Sequence, residues 1–131
     1  MLLDTSGLLC FIHAAESRHA DAVTFFRTAP WRLTHNYVIA ELVTLAQARS
    51  LPREAVLAFV AELQRSPLVE MVYVDEALHH AALSFLQERL DKNWSLCDAV
   101  SFLLMERYGV LEALTTDRHF EQAGFVRLLT P

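Results

Sequence analysis

The stretch that decides the fold is MLLDTSGLL, residues 1–9. Met1–Leu3 is predicted to form a short buried strand, and the chain from Thr5 to about Ala14 is predicted to form a helix. Asp4 lies between them, where the apolar run ends. Carboxylates are rarely buried unless they are paired or coordinate a metal ion. The strand–acid–helix order therefore indicates an α/β domain and a candidate functional residue at its first strand end.

The rest of the chain repeats this alternation of short apolar runs and longer segments with helical periodicity. Further strands are predicted at Trp31–Thr34, Glu70–Val74, Leu111–Thr115 and Phe125–Leu129. Further helices are predicted over about His19–Thr28, Asn36–Arg49, Pro52–Gln64, Asp75–Leu90, Ser95–Tyr108 and Asp117–Ala123. Strands separated by single helices or helix pairs predict a three-layer α/β/α fold with a mainly parallel sheet of about five strands. No linker or repeat interrupts residues 1–131, so a single domain is expected.

Composition and charge exclude several classes of protein. No apolar run approaches the ~18 residues of a membrane span, and the formal net charge of −5 argues against broad electrostatic binding to nucleic acid or anionic lipid. Cys10 and Cys97 have no CxxC spacing, which predicts a reduced, cytoplasmic protein with both cysteines in the core. The apolar fraction of 53% is high and predicts an interface with another chain.

Three further acids also interrupt apolar surroundings, namely Glu41, Asp98 and Asp117. Asp117, like Asp4, follows a predicted strand, so the two carboxylates meet at the sheet edge if the first and fourth strands are neighbours. Glu41 and Asp98 lie in the first turns of predicted helices that could pack at that edge. Clustered carboxylates repel one another unless a cation lies among them, and hard oxygen ligands select Mg²⁺ or Mn²⁺. Phosphodiester chemistry is the expected use of such a site.

Each acid also has a purely structural interpretation. Asp4 and Asp117 could cap the helices that follow them, and Asp98 completes a capping-box spacing with Ser95. Glu41 shares a helical stripe with apolar residues and is predicted to face inward, where only a cation or an ion pair with an arginine would neutralise it.

Four segments together resemble the motifs of PIN-domain ribonucleases of the VapC type, the toxins of toxin–antitoxin pairs. They are LDTSGLL at 3–9, THNYVIAEL at 34–42, SLCDAVSF at 95–102 and LTTDRHF at 114–120, with AGF at 123–125 behind the last. The resemblance covers essentially the whole chain. It implies a PIN-like α/β domain and an endoribonuclease that depends on Mg²⁺ or Mn²⁺ and uses a metal-activated water.

The resemblance also implies roles for particular residues. The expected ligands of one or two metal ions are Asp4, Glu41, Asp98 and Asp117. The residues expected to hydrogen-bond these carboxylates or a metal-bound water are Ser6 and Thr116, with Asn36 and Ser95 as weaker candidates. Arg118 is the candidate contact to RNA. The implied partners are an RNA substrate, a small antitoxin protein and a second copy of the chain in a homodimer.

Other functions fit parts of the same pattern. A phosphatase of the haloacid dehalogenase type is rejected because Ser6 stands where a second aspartate is needed and Lys92 is the only lysine. A catalytically silent PIN-like binding or regulatory module and a metal-dependent DNA nuclease stay open. Among the histidines, only His119 lies close to an acid of the cluster, and no catalytic role is expected for it.

Overall fold

A computed structural model describes all residues 1–131 and contains five strands and seven helices. The strands are β1 Leu2–Leu3, β2 Arg32–His35, β3 Val69–Val72, β4 Glu112–Leu114 and β5 Val126–Arg127. The helices are α1 Thr5–Ile12, α2 His19–Thr28, α3 Asn36–Ala48, α4 Arg53–Arg65, α5 Glu76–Gln87, α6 Leu96–Tyr108 and α7 His119–Gln122. Every predicted element is present, with ends that shift by at most three residues.

The five strands form one sheet in the order β3-β2-β1-β4-β5, and every pair is parallel. The central strand β1 pairs on one side with β2, through Leu2 and Leu33, and on the other with β4, through Leu2 and Ala113. The predicted α/β class is confirmed, and the first and fourth strands are neighbours, which is the condition under which Asp4 and Asp117 were expected to meet. The chain reverses its direction of travel across the sheet at β1, which is where open parallel sheets form their binding clefts.

The sheet is covered on both faces, so the domain has three layers. Successive side chains of a strand point to opposite faces. Leu2 accordingly belongs to a core with residues of α5, α6 and α7, whereas Leu3 belongs to a second core with residues of α1, α2, α3 and α4. Both leucines have no exposed surface. A strand of two residues is thereby fixed on each face, and the backbone that follows it is held in place.

Gly7 lets α1 lie directly against β4. A Cβ atom at this position would lie 1.8 Å from the carbonyl oxygen of Leu114, which is a backbone atom at the end of β4. Glycine lowers helix propensity, but here the close approach requires it. The backbone N–H of Asp4 donates to the same carbonyl at 3.2 Å. The two strand ends that carry Asp4 and Asp117 are therefore packed against each other.

Helix boundaries follow the capping signals of the sequence. The side chain of Asp75 accepts a hydrogen bond from the N–H of Leu78 and caps α5, and Gly109 ends α6 in the left-handed conformation at φ 66°. Both cysteines, Cys10 and Cys97, are buried and unpaired, as expected. None of the helices is both long enough and apolar enough to span a membrane.

Candidate active site

A cleft of about 290 Å³ opens at the carboxyl ends of β1 and β4. The structure brings all four predicted acids to this one cleft, although they come from four separate segments of the chain. The lining residues are Asp4, Thr5, Ser6, Glu41, Leu45, Asn93, Ser95, Asp98, Asp117 and His119. A single apolar residue among ten makes the cleft suited to charged or strongly polar ligands.

Asp4 lies deepest in the cleft and is only 5% exposed. Its side chain does not cap α1; instead Oδ2 accepts hydrogen bonds from the hydroxyls of Thr115 at 2.7 Å and Ser6 at 3.2 Å. Burial raises the pKa of Asp4 to about 7, against the hydrogen bond from Thr115, and the negative charges of Asp98 and Asp117 add to the rise. The site therefore favours either a proton or a cation at this carboxylate.

Asp98 lies in the first turn of α6 and has two functions at once. Its backbone N–H donates to the hydroxyl of Ser95 at 2.9 Å, and its Oδ2 accepts from the backbone N–H of Ser95 at 3.0 Å, which completes a capping box. The structural interpretation of this acid is thus correct, yet the same carboxylate faces the cleft. Burial raises the pKa of Asp98, against the hydrogen bond from the N–H of Ser95.

Asp117 lies in the connection between β4 and α7 and is half-buried. Its backbone N–H donates to the hydroxyl of Thr115 at 2.9 Å, and its Oδ1 accepts from the backbone N–H of His119 at 2.9 Å. Thr115 therefore contacts both strand-end aspartates and fixes their separation.

Glu41 does not face inward as predicted. It lies in the second turn of α3, on the exposed side of the stripe that packs against the sheet, and forms no ion pair with an arginine. The buried residues of α3 are Val38, Leu42 and Ala46, so the buried stripe is narrower than the apolar pattern predicts. Oε1 of Glu41 accepts a hydrogen bond from the hydroxyl of Thr5 at 2.6 Å. This contact directs an exposed glutamate into the cleft.

Two residues that were predicted to support the carboxylates, Thr116 and Asn36, form no hydrogen bond with them. Thr115, rather than Thr116, holds the carboxylate of Asp4, and Thr116 contributes only its backbone N–H, which donates to the hydroxyl of Ser6 at 3.0 Å. Side-chain direction alternates along an extended chain, so positions 115 and 117 share a side. Counting this alternation back from Asp117 would have identified Thr115 from the sequence. Ser6 and Ser95 lie in the cleft as expected.

Asn36 is not part of the cleft. Its side-chain oxygen accepts the backbone N–H of Val74 at 2.7 Å and so ties the start of α3 to the connection between β3 and α5. Arg118 is exposed, forms no ion pair and does not line the cleft. Its contact to RNA stays a prediction.

His119 lies in the cleft, although no catalytic role was expected for it. Its Nδ1 is 3.2 Å from Oδ2 of Asp98 and 3.3 Å from Oδ1 of Asp117. One possible ligand atom from each of these three residues lies within 4.8 Å of the others. The spacing of two residues from Asp117 was its only signal in the sequence.

The model of the PIN domain family matches residues 1–126. The chain belongs to the PIN domain family. Relatives named 23S rRNA-specific endonuclease VapC20, from Mycobacterium tuberculosis strains CDC 1551 / Oshkosh and ATCC 25618 / H37Rv, are 31% identical over 129 residues. The alignment covers 98% of this PIN domain and 97% of each relative. Ribonuclease VapC26 of the H37Rv strain is 32% identical over 122 residues, which cover 92% of this chain and 89% of that protein.

A solved structure supports the same family. The crystal structure of M. tuberculosis VapC20 (Rv2549c), described as a sarcin-ricin loop cleaving toxin, superposes on this PIN domain with a TM-score of 0.88. The two chains are 30% identical, and the match covers 98% of each. The fold and family expected from the four motifs are confirmed.

Each carboxylate of the PIN-domain cleft is held by hydrogen bonds from the protein. The side-chain hydrogen bonds to Asp4 fall on Oδ2, and those to Asp98, Asp117 and Glu41 fall on Oδ2, Oδ1 and Oε1. The opposite oxygens of the last three accept no hydrogen bond from the protein. Fixed carboxylates with free oxygens at one cleft are a donor set that fits a hard divalent cation.

The cleft contains no competing soft ligand. Cys97 is buried next to the site, where burial and then the negative charges of Glu41 and Asp4 raise the pKa of its thiol. Only the thiolate binds metals well. The donor set of this PIN domain is therefore dominated by carboxylate oxygens and contains no thiolate.

Proposed function

We propose that this PIN domain is an endoribonuclease of the VapC type that depends on Mg²⁺ or Mn²⁺. One observation carries the proposal: four carboxylates from separate segments converge on one cleft, and hydrogen bonds from the protein hold each of them. The family and the relatives named as ribonucleases support it. The residues that would hold the metal are Asp4, Glu41, Asp98 and Asp117.

The charge of the cleft explains why a cation is needed for this chemistry. Four carboxylates would repel the phosphates of a nucleic acid, and the protein places no lysine or arginine among the lining residues. A divalent ion bound here would lower the pKa of a coordinated water and offset the charge that develops on the phosphodiester. RNA binding and cleavage are thus both expected to depend on the metal.

The chain's own residues keep the carboxylates in position. The hydroxyls of Thr115 and Ser6 hold Asp4 at the bottom of the cleft. The backbone N–H of Ser95 holds Asp98, and the hydroxyl of Thr5 holds Glu41. These donors leave Oδ1 of Asp98 and Oδ2 of Asp117 without a hydrogen bond from the protein, so both oxygens are available to a cation. Pre-positioned ligands reduce the reorganisation that metal binding and phosphodiester attack would otherwise require.

We further propose that the substrate is a structured RNA and that the chain acts in the cytoplasm with an antitoxin protein and as a homodimer. The names of VapC20, which refer to 23S rRNA and the sarcin-ricin loop, support a ribosomal RNA hairpin as the first substrate to test. Large exposed apolar side chains, such as Leu90 at 86% and Leu111 at 67%, offer surface for partner chains.

Cleavage of a labelled RNA hairpin and of DNA with the same sequence tests the proposal. We expect the RNA to be cut with Mg²⁺ or Mn²⁺ and to stay intact in excess chelator. Asp4→Asn removes a proposed ligand at constant size, whereas Asp75→Asn is the matched control because asparagine also caps helices well. Equal cleavage by the wild type and Asp4→Asn, or cleavage in chelator, contradicts the proposal. Binding of RNA without cleavage would favour the silent binding module, and preference for DNA would favour a DNA nuclease.

A further inference from the structure

His119 lines the cleft and contacts both Asp98 and Asp117 with its side chain, although it is not itself an acid. Its side chain is 31% exposed, and its Nδ1 lies between Oδ2 of Asp98, at 3.2 Å, and Oδ1 of Asp117, at 3.3 Å. Asp98 belongs to α6, whereas Asp117 precedes α7. No other hydrogen bond joins these two carboxylates, directly or through a shared partner.

The oxygens that His119 contacts are those that the backbone already holds. Oδ2 of Asp98 also accepts the N–H of Ser95 at 3.0 Å, and Oδ1 of Asp117 also accepts the N–H of His119 itself at 2.9 Å. The opposite oxygens, Oδ1 of Asp98 and Oδ2 of Asp117, accept no hydrogen bond. The imidazole thus lies on the anchored side of both acids and leaves the side with free oxygens open.

The backbone of His119 is firmly placed. The next residue, Phe120, has no exposed surface, and its ring packs edge-on against Phe102 of α6 with centroids 5.0 Å apart. This contact fixes the short helix α7 against α6. The imidazole consequently has a defined position over Asp98 rather than the freedom of a surface side chain.

We propose that His119 is a positioning residue that joins Asp98 to Asp117 and is not a ligand of the metal. Its Nδ1–H donates to Asp98 and approaches Asp117, which sets the distance between their free oxygens. An imidazole with its hydrogen on Nδ1 can do this in the neutral form. The inference rests on the proposed metal-dependent function, because it concerns the geometry that this metal would meet.

The contacts extend into one continuous network. Thr115 joins Asp4 to Asp117 through its hydroxyl, and His119 joins Asp117 to Asp98. Three aspartates from distant parts of the chain are therefore connected by two side chains. Loss of a residue that orients metal ligands typically weakens metal affinity or activity 10–100-fold, and a loss in that range is expected for His119.

Substitutions that keep or remove the donor test this role in the full chain. His119→Ala removes Nδ1, whereas the amide nitrogen of His119→Asn can reach nearly the same place. We expect the Mn²⁺ dissociation constant, measured by calorimetry without RNA, to rise about 10–100-fold in His119→Ala and to stay within a few-fold of wild type in His119→Asn. His80→Ala is the matched control, since His80 is an exposed histidine whose only acidic neighbour is Glu76 at 3.7 Å.

Electron paramagnetic resonance of the wild type with Mn²⁺ separates positioning from ligation without any variant. We expect no directly coordinated nitrogen. A strong ¹⁴N coupling that changes when histidine is labelled with ¹⁵N would show that His119 is a ligand and would overturn the inference. Unchanged Mn²⁺ affinity in His119→Ala would overturn it as well.

The same measurements distinguish this inference from the proposed function. A wild type that binds no Mn²⁺ contradicts both. A wild type that binds Mn²⁺ with the expected dependence on His119, but cleaves no RNA, contradicts the proposed activity and supports the positioning role.

Discussion

Two buried polar groups lie at the carboxyl ends of adjacent strands, and only one of them faces the cleft. Asp4 follows β1, and His35 is the last residue of β2. Burial disfavours the charged form of each, since it raises the pKa of Asp4 to about 7 and lowers the pKa of His35 to about 3. The physical cause is the same, although the two residues carry opposite charges when ionised.

The surroundings of the two groups differ. Asp4 shares an open cleft with three other acids, and the charges of two of them, Asp98 and Asp117, raise its pKa further, so a cation can stabilise its ionised form. His35 has no exposed surface, accepts or donates one hydrogen bond at 2.8 Å to the hydroxyl of Ser101, and leaves Nδ1 without a partner. Burial of a polar residue thus indicates function only where other charges and solvent reach it. His35 is a neutral core residue.

The largest expected effect comes from Asp4→Asn. It should lower RNA cleavage by more than about a hundredfold, because loss of residues that merely orient a ligand already costs 10–100-fold. The metal-free protein should be at least as stable as the wild type, since asparagine carries no charge to bury. Cleavage rates and urea unfolding measure the two effects. A large loss of stability would instead show that Asp4 is a structural residue like His35.

Gly7→Ala should destabilise the protein and displace Asp4, because it changes how the backbones of α1 and β4 pack. The added Cβ would lie 1.8 Å from the carbonyl oxygen of Leu114, so α1 or β4 must move. Overpacking typically costs about 1–3 kcal/mol and occasionally more, and the displacement of Asp4 should lower metal affinity as well. Urea unfolding and Mn²⁺ titration measure these changes.

Gly109→Asn is the control for this glycine substitution. Gly109 has φ 66° and no atom within 4 Å of an added Cβ, and asparagine tolerates the left-handed conformation. A loss of stability in Gly109→Asn as large as that in Gly7→Ala would contradict the close-approach argument.

Ser101→Ala should affect the buried surroundings of His35 and leave the cleft unchanged. It removes the one hydrogen-bond partner of a fully buried imidazole, which should lower the free energy of unfolding by about 1–3 kcal/mol. RNA cleavage by the folded protein should not change. Ser84→Ala, at an exposed position of α5, is the matched control and should leave stability unchanged. Reduced cleavage by folded Ser101→Ala would mean that the buried surroundings of His35 are coupled to the cleft.

The most gradual of the expected effects is the pH dependence of metal stabilisation. The pKa of Asp4 in the folded protein, about 7, is above its ordinary value of 3.8, so its burial costs nothing below pH 3.8 and destabilises the metal-free protein as the pH rises to 7. Bound metal needs the ionised form. The increase in Tm caused by Mn²⁺ should therefore become smaller below pH 7. The free energy of Mn²⁺ binding should weaken by up to about 1.4 kcal/mol for each pH unit.

His35 contributes to the pH dependence with the opposite sign. Its pKa in the folded protein, about 3, is below the ordinary 6.5, so stability is complete above pH 6.5 and is lost as the pH falls towards 3. This loss occurs with and without metal. Differential scanning calorimetry with and without Mn²⁺ separates the two residues. A metal-induced increase in Tm that is constant from pH 5 to 8 would contradict the assignment of Asp4 as a ligand.

The sequence allowed the fold and the four acids to be predicted because both depend on local patterns. Apolar runs of strand length, helix-period segments and capping residues such as Asp75 and Gly109 fix the order of elements. An acid directly after an apolar run, such as Asp4 or Asp117, is visible without any knowledge of packing. The parallel α/β topology then brings strand ends together.

The predictions that were wrong or incomplete concern details that depend on tertiary packing. The orientation of Glu41 depends on which edge of α3 meets the sheet, and the apolar stripe was too broad to define that edge. Thr115 and Thr116 differ by one residue. Side-chain alternation counted from Asp117 favours Thr115, and the pairing of β4 with β1 then brings the hydroxyl of Thr115 to Asp4. His119 reaches Asp98 because Phe120 docks α7 on α6, a contact that local patterns do not encode.

The place of β1 in the sheet has a consequence for the growing polypeptide. The strand is made first, yet its hydrogen-bonding neighbours are β2 and β4, and the latter begins at Glu112. A nascent chain that has emerged only as far as α6 contains Asp4, Glu41 and Asp98, but it lacks the threonine that anchors Asp4 and the last acid of the cluster. Long-range pairing of this kind forms late. The complete set of carboxylates therefore cannot assemble before Asp117 has been synthesised, and synthesis itself delays the onset of the proposed nuclease activity.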